Sequence, residues 1–450
     1  PLSEQERYHD PNGYLEDDPP VEFTPEMRKT HTILVPMMLP IHFEMLETIL
    51  GRHGYRVEVL RTTGRQLVEE GLANVHNDTC YPALLVIGQM IDALKSGKYD
   101  PDHTALMLTQ TGGGCRASNY IHLLRKALKK CGFSQVPVIS LNFSKLEKSS
   151  GFKITAPLLV EVFYAMLYGD MLMWLNNQCR PYEINKGDSK KVVDHWIEEL
   201  NRQFCSPRFL LLTHNYKKML RDFAAIPRRK EGKVRVGIVG EIYMKYAPLG
   251  NNNLEDFLVA EGAEPVVSGV LDFLLYCVKN NLIDYDLYGK STMAKPVATY
   301  ALRFLEYLQN KGIRAVKKQG EFRAPSSFQD LQKMVDGFIG MGAKMGEGWL
   351  LTSEMLELIH SGVNNIVCTQ PFGCLPNHIV AKGMMRKIKD KYPYSNIVAV
   401  DYDPSATPIN QENRLKLMLS NARLNLTMED VQEPSKAREV VDLSEDLHLD

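Results

Sequence analysis

His31-Thr32-Ile33-Leu34-Val35-Pro36 is the stretch that decides the fold. An apolar run this short, followed by an amphipathic stretch at 41–52, makes a buried strand feeding a helix. Outward from it the pattern repeats: a strand is expected at 56–60, a helix at 83–95, a strand at 105–109, a helix at 117–130 and a strand at 136–141. Short apolar strands alternating with helices specify a parallel, doubly wound sheet. The pattern returns at Val234-Arg235-Val236-Gly237-Ile238-Val239-Gly240, with a helix at 254–261, a strand at 265–267 and helices to about 312. It returns once more with a helix at 355–360, a strand at 365–369, a helix at 376–389, a strand at 396–400 and a helix at 411–422. The expected fold class is α/β, with three Rossmann-like subdomains at 31–150, 232–320 and 321–425 and parallel sheets. Residues 151–231, with helical patterns through 156–224, read as a helical insertion or linker; 1–30 read as a polar, Pro-rich arm and 426–450 as an acidic tail.

The chain has 450 residues, enough for a large core without disulfide staples. Its formal charge is −1 with acids and bases well mixed, so neither a nucleic-acid nor an anionic-membrane partner is indicated. The apolar run 158–175 is interrupted by Glu161 and Asp170 and reads as a buried core helix, because a membrane span needs about 20 apolar residues. No signal peptide is recognisable and no Met precedes Pro1, so a trimmed chain or a piece of a longer polypeptide is expected. Eight scattered cysteines then fit a reducing, cytoplasmic setting better than a disulfide framework.

Three of those cysteines stand where a helix is expected to begin: Cys80 before Tyr81-Pro82, Cys115 after Gly112-Gly113-Gly114, and Cys374 before Leu375-Pro376. Proline suits the first helical turn, and the positive end of the helix dipole lowers a thiol pKa there. Thiolate is the form that binds iron or zinc. Without histidine at ligand spacing, three such cysteines favour a [4Fe–4S] cluster with one iron open, although no compact ligand spacing is present. The competing reading is that each is a small buried hydrophobe.

Gly112, Gly113 and Gly114 let the backbone approach an anionic cofactor and turn N–H groups toward it. A phosphate loop is disfavoured because Cys115-Arg116 stands where Lys-Ser/Thr would be, and a plain turn remains open. Cys368 is read either as a fourth ligand or as a strand residue, and Cys131, Cys179, Cys205 and Cys277 as structural. Arg116, Asn119, Glu241 and His378 are the candidate catalytic residues, each with a bland alternative as a cap or solvated side chain. Glu347 is a loop glutamate of the same kind as Glu241.

The segments HNDTCYPALLVIGQ (76–89), LTQTGGGCRASNY (108–120), GEGWLLTSEMLELI (346–359) and NIVCTQPFGCLPNHIVAKG (365–383) resemble the 2-hydroxyacyl-CoA dehydratase superfamily. The likeness is greatest to the dehydratase-like region of large acyl-CoA dehydratase activase-related proteins, over residues 31–425. The resemblance implies three Rossmann-like subdomains around a cluster, as in nitrogenase components. It also implies a [4Fe–4S] or double-cubane cluster on Cys80, Cys115 and Cys374, with Cys368 open.

The implied partner is an ATP-dependent iron–sulfur activator, as a separate protein or a fused domain, since no nucleotide motif of the activator is visible here. An acyl-CoA substrate and a homo- or heterodimer are implied in the same way, though no CoA-binding signature is readable. The expected function is to accept low-potential electrons and deliver them to a bound substrate. In a dehydratase role, one electron expels hydroxide. Alternatives are a double-cubane reductase of small molecules, and a non-catalytic scaffold with structural zinc or no metal.

Overall fold

The computed structural model describes residues 20–76, 78–110, 114–141, 150–289 and 294–429. Its architecture is α/β, and among the described residues eight strands form two four-stranded parallel sheets. The chain divides into two compact units. The first takes in residues up to Pro36, Leu50–Thr79 and Ala83–Ile154; the second holds Met37–Ile49, Cys80–Pro82 and everything from Thr155 onward.

In the first unit β1 (Thr32–Pro36), β2 (Arg56–Leu60), β3 (Thr104–Thr109) and β4 (Val138–Leu141) lie in the order β2-β1-β3-β4. Ile33, Ala105, Met107 and Ile139 pack with Phe23, Tyr55 and Phe152 into its core. The second sheet is built from β5 (Arg235–Gly240), β6 (Glu264–Val267), β7 (Asn365–Pro371) and β8 (Asn396–Tyr402), ordered β6-β5-β7-β8. Strand β7 is buried along nearly its whole length, the signature of a parallel strand covered on both faces. Fully burying each of Ile366, Val367, Leu356 and Met355 contributes roughly 1.5–3 kcal/mol.

The pairing of Val239 with Cys368 and of Gly240 with Thr369 corrects the expected division into three sheets. The strands assigned to a second and a third unit lie side by side in one sheet. The long helices Val270–Tyr288 and Ala294–Gln319 occupy the connection from β6 to β7, and their length is what made the two halves look separate.

Helices Ala156–Cys179, Asp188–Gln203 and Leu212–Ala224 lie between the two sheets in sequence. Ala156–Cys179 is the one helix among the described residues long and apolar enough to cross a membrane by length and composition, and 61% of its most apolar window is buried inside the protein. Its Tyr168 and Asp170 are engaged in polar contacts: the Tyr168 hydroxyl donates to the Phe209 carbonyl at 2.6 Å, and the Asp170 carboxylate accepts from Val270 N and Leu271 N at 2.9 Å. No disulfide joins the eight cysteines.

Candidate functional site

In an open parallel sheet the binding crevice lies beyond the carboxyl ends of the strands, where the connections leave in opposite directions. From β5 the chain runs to β6 on one side and returns to β7 on the other, so the switch point of the second sheet is between β5 and β7. Glu241 follows β5 directly and Cys374 stands three residues beyond β7. Cys80 belongs to the same unit as Cys374, and Tyr81 N donates to the Phe372 carbonyl at 2.9 Å, tying the Cys80 segment to the β7 turn.

Two carboxyl groups converge on the first turn of helix Ile242–Tyr246. Glu241 Oε2 accepts from Met244 N at 3.0 Å, and Glu347 Oε1 accepts from Ile242 N at 2.9 Å. Each glutamate adjoins a glycine that no other residue would replace. Gly240 has φ 148°, and a Cβ there would stand 2.1 Å from Thr369 Oγ1; Gly348 has φ 45°, and a Cβ would meet the Ala343 carbonyl at 2.3 Å. The backbone thus turns sharply at the end of β5 and just after Glu347.

Burial raises the Glu241 pKa to about 8, with the Glu347 charge as the second cause. Glu347 is raised as well, again by burial first. The Cys374 thiol is pushed up by burial, then by the Glu241 and Glu347 charges, with a further contribution from Cys80. This corrects the expectation that a helix start would favour its thiolate. Helix Leu375–Val380 has only six residues, and burial, with two carboxyls and a thiol behind it, outweighs so short a dipole. Three acidic groups, Glu241, Glu347 and Cys374, therefore resist ionisation together, with Cys80 beside the last of them. Beside them the Tyr243 hydroxyl, raised by burial and by Glu241 and Tyr81, is buried without a hydrogen-bond partner among the described residues. Trp349 Nε1 is a second buried donor without one.

Next to the carboxyl pair is a buried ion pair, Lys245 Nζ to Glu354 Oε1 at 2.8 Å, with Ser268 Oγ donating to the same oxygen at 2.8 Å. Glu354, Ser268, Asp272 and Glu357 also line a small cavity of about 20 Å³, room for one water. Burial lifts Asp272 to about 8 and Glu357 to about 7. Sequence reasoning missed Lys245, Tyr243 and Glu354. One signal was present: Glu354 and Glu357, three residues apart, interrupt the apolar run of helix Trp349–His360 on one face.

The remaining candidates fall elsewhere. Cys368 sits within β7, fully buried, and its thiol, raised to about 12 by burial, donates to Asn377 Oδ1 at 3.4 Å. That is the environment of a core residue. His378 is exposed, with Nδ1 2.7 Å from the Cys374 carbonyl and 2.7 Å from Gln370 Nε2, so it braces the turn that carries Cys374.

Cys115, Arg116 and Asn119 belong to the first unit. Gln110, just after β3, donates to the Ser118 carbonyl at 2.9 Å, and Ser118 Oγ donates to the Cys115 carbonyl at 2.6 Å, fixing the Cys115 turn to the end of that strand. Arg116 donates to the Asp78 carbonyl and, with Asn119, His76, Thr79 and Leu123, lines an open cavity of about 260 Å³. Gly114 is exposed, while Gly112 and Gly113 lie outside the described residues. The structure thus brings Cys80, Cys374, Glu241 and Glu347 to one crevice. Among the described residues no three His, Cys, Asp or Glu side chains stand in a metal-holding arrangement.

No family model matches the chain, and no curated protein matches it.

Proposed function

We propose that the chain is a cytoplasmic iron–sulfur protein that takes low-potential electrons from an ATP-dependent activator and delivers them to a bound substrate, in the manner of 2-hydroxyacyl-CoA dehydratase components. The observation that carries this reading is the meeting of Cys80 and Cys374, from remote parts of the sequence, at the switch point of a parallel sheet. A cationic centre fits their surroundings. Two carboxyls and the Cys374 thiol, whose ionisation is held back by burial and by one another, are relieved when a metal takes up their charge.

Cys80 and Cys374 would hold the cluster, with Cys115 as the ligand the resemblance adds from the first unit. When bound, such a cluster supplies one-electron chemistry and an open iron for a substrate oxygen. The protein's own contribution falls to Glu241. With a pKa of about 8, it holds a proton on its carboxyl at neutral pH and can hand it to a departing hydroxide. The Tyr243 hydroxyl, buried without a hydrogen-bond partner among the described residues, would be the donor to an oxygen of the substrate. An acyl-CoA substrate belongs to this proposal.

The test is anaerobic purification followed by iron and sulfide quantification and EPR of the reduced protein. About four irons with equal sulfide are expected for one cubane, and about eight for a double cubane. Zinc without sulfide would reassign the thiols and carboxyls to a structural zinc site, for which the same donor types are suited.

A further inference from the structure

The first unit has a switch point of its own. From β1 the chain runs to β2 on one side and returns to β3 on the other, so a ligand crevice is expected beyond the carboxyl ends of β1 and β3. The open cavity lined by His76, Asp78, Thr79, Arg116, Asn119 and Leu123 belongs to that end of the sheet. The turn carrying Arg116 and Asn119 is fixed to the end of β3 through Gln110 and Ser118. None of these side chains has a part in holding the cluster proposed above.

The lining is a set of donors short of acceptors. Thr79 is only 7% exposed, yet its hydroxyl has no hydrogen-bond partner among the described residues. A buried hydroxyl ordinarily finds one. Asn119 stands at the N-cap of helix Tyr120–Lys130, where an asparagine side chain normally accepts from the first turn, but it makes no such bond. His76 Nδ1 accepts from Asp78 N at 3.2 Å, so a neutral His76 carries its proton on Nε2, which is left to donate. Arg116 spends one N–H on the Asp78 carbonyl and keeps the rest of its fork, with no carboxylate paired to it among the described residues. Asp78, the one carboxylate of this lining, has its side chain 83% exposed and faces solvent.

Two short segments, 76–79 and 116–119, thus offer an arginine fork, an imidazole N–H, an amide and a hydroxyl around one opening. A planar carboxylate is served by an arginine fork alone. A phosphate monoester presents three acceptor oxygens and about −1.5 to −2 charges near neutral pH, and takes donors from several directions. The positive end of the 11-residue helix Tyr120–Lys130, beside Asn119, favours the same charge. The cavity of about 260 Å³ far exceeds the roughly 10–15 Å³ that holds one water. It falls just under the roughly 300 Å³ at which small-molecule pockets begin, which leaves space for a small ester around the phosphate.

We propose that this cavity binds the phosphate group of a small phosphate ester, with Arg116 and Thr79 on the phosphate oxygens and His76 Nε2 and Asn119 as further donors.

The test is calorimetric titration of the full chain with glycerol 3-phosphate, inorganic phosphate and acetate. Saturable binding of both phosphates is expected, the ester the tighter, with acetate at least about tenfold weaker. Arg116→Ala, Thr79→Val and Asn119→Ala should each weaken glycerol 3-phosphate about tenfold, as the loss of one hydrogen bond to a charged group does. Asn119 is exposed and does not cap its helix, so its variant retains the fold, and Thr79→Val keeps the shape of the side chain. No binding of the ester, acetate as tight as phosphate, or an affinity unchanged in any of the three variants would each overturn the proposal. The titration does not depend on iron, so it can fail while the iron–sulfur assignment stands, and the reverse.

Discussion

Replacing Glu241 with Gln probes the carboxyl pair most sharply. Glu241 rises from the usual 4.5 to about 8 on folding, first because it is buried and second because Glu347 is charged beside it. The sign follows from proton binding. Between those two values the folded protein holds a proton that the unfolded chain has lost, so stability is full below pH 4.5 and falls as pH rises through 8. At about 1.4 kcal/mol per unit the shift is worth several kcal/mol, and partial exposure of Glu241 reduces this to about 3 kcal/mol. Glutamine mimics the protonated carboxyl and has no such dependence. The assay is urea unfolding of metal-free wild type and Glu241→Gln across pH 5 to 8.5. The variant should gain on the wild type with rising pH, at no more than about 1.4 kcal/mol per unit and by about 3 kcal/mol in total. A stability difference that stays flat with pH would refute the reasoning, because Glu241 would then ionise normally in the folded protein.

Three further outcomes are expected. Gly348→Ala forces a side chain into positive φ and onto the Ala343 carbonyl, and should cost about 1–3 kcal/mol, read as a lowered melting temperature. Lys245→Met or Glu354→Gln breaks a buried ion pair and should cost about 3–5 kcal/mol in urea unfolding, whereas Lys245→Met combined with Glu354→Leu should cost clearly less than the two singles added. Dibromobimane, which bridges neighbouring thiols, should join Cys80 to Cys374 in metal-free protein; mass spectrometry showing both alkylated singly would contradict their meeting.

The strands were legible because their chemistry is local. Ile33 and Leu34 in β1, or Ile366 and Val367 in β7, belong to apolar runs that only a strand covered on both faces accommodates. Helix ends were less so. The helix expected at 376–389 is interrupted at Lys382–Met384, where Gly383 loosens the backbone, and the helix expected at 355–360 begins earlier, at Trp349. Which strands share a sheet was not legible, since the Val239–Cys368 pairing spans a long helical connection.

At the site, Cys80, Cys374 and Glu241 could be picked out from their places after strands and before helices. The state of the Cys374 thiol could not. It depends on Glu241 and Glu347, which reach it only through the folded sheet and are distant from it in sequence. Tyr243 was hidden for the same reason: its importance lies in an unpartnered hydroxyl, a property of packing rather than of residue type.

Iron and sulfide content of single cysteine variants, purified anaerobically beside the wild type, bears most directly on the central claim. Cys80→Ala and Cys374→Ala should each lose most of the metal and Cys115→Ala should follow them, while Cys368→Ala, in the core of β7, and Cys277→Ala, exposed on helix Val270–Tyr288, should keep it. Full iron in the Cys80 and Cys374 variants, or its loss from Cys277→Ala, would contradict the account.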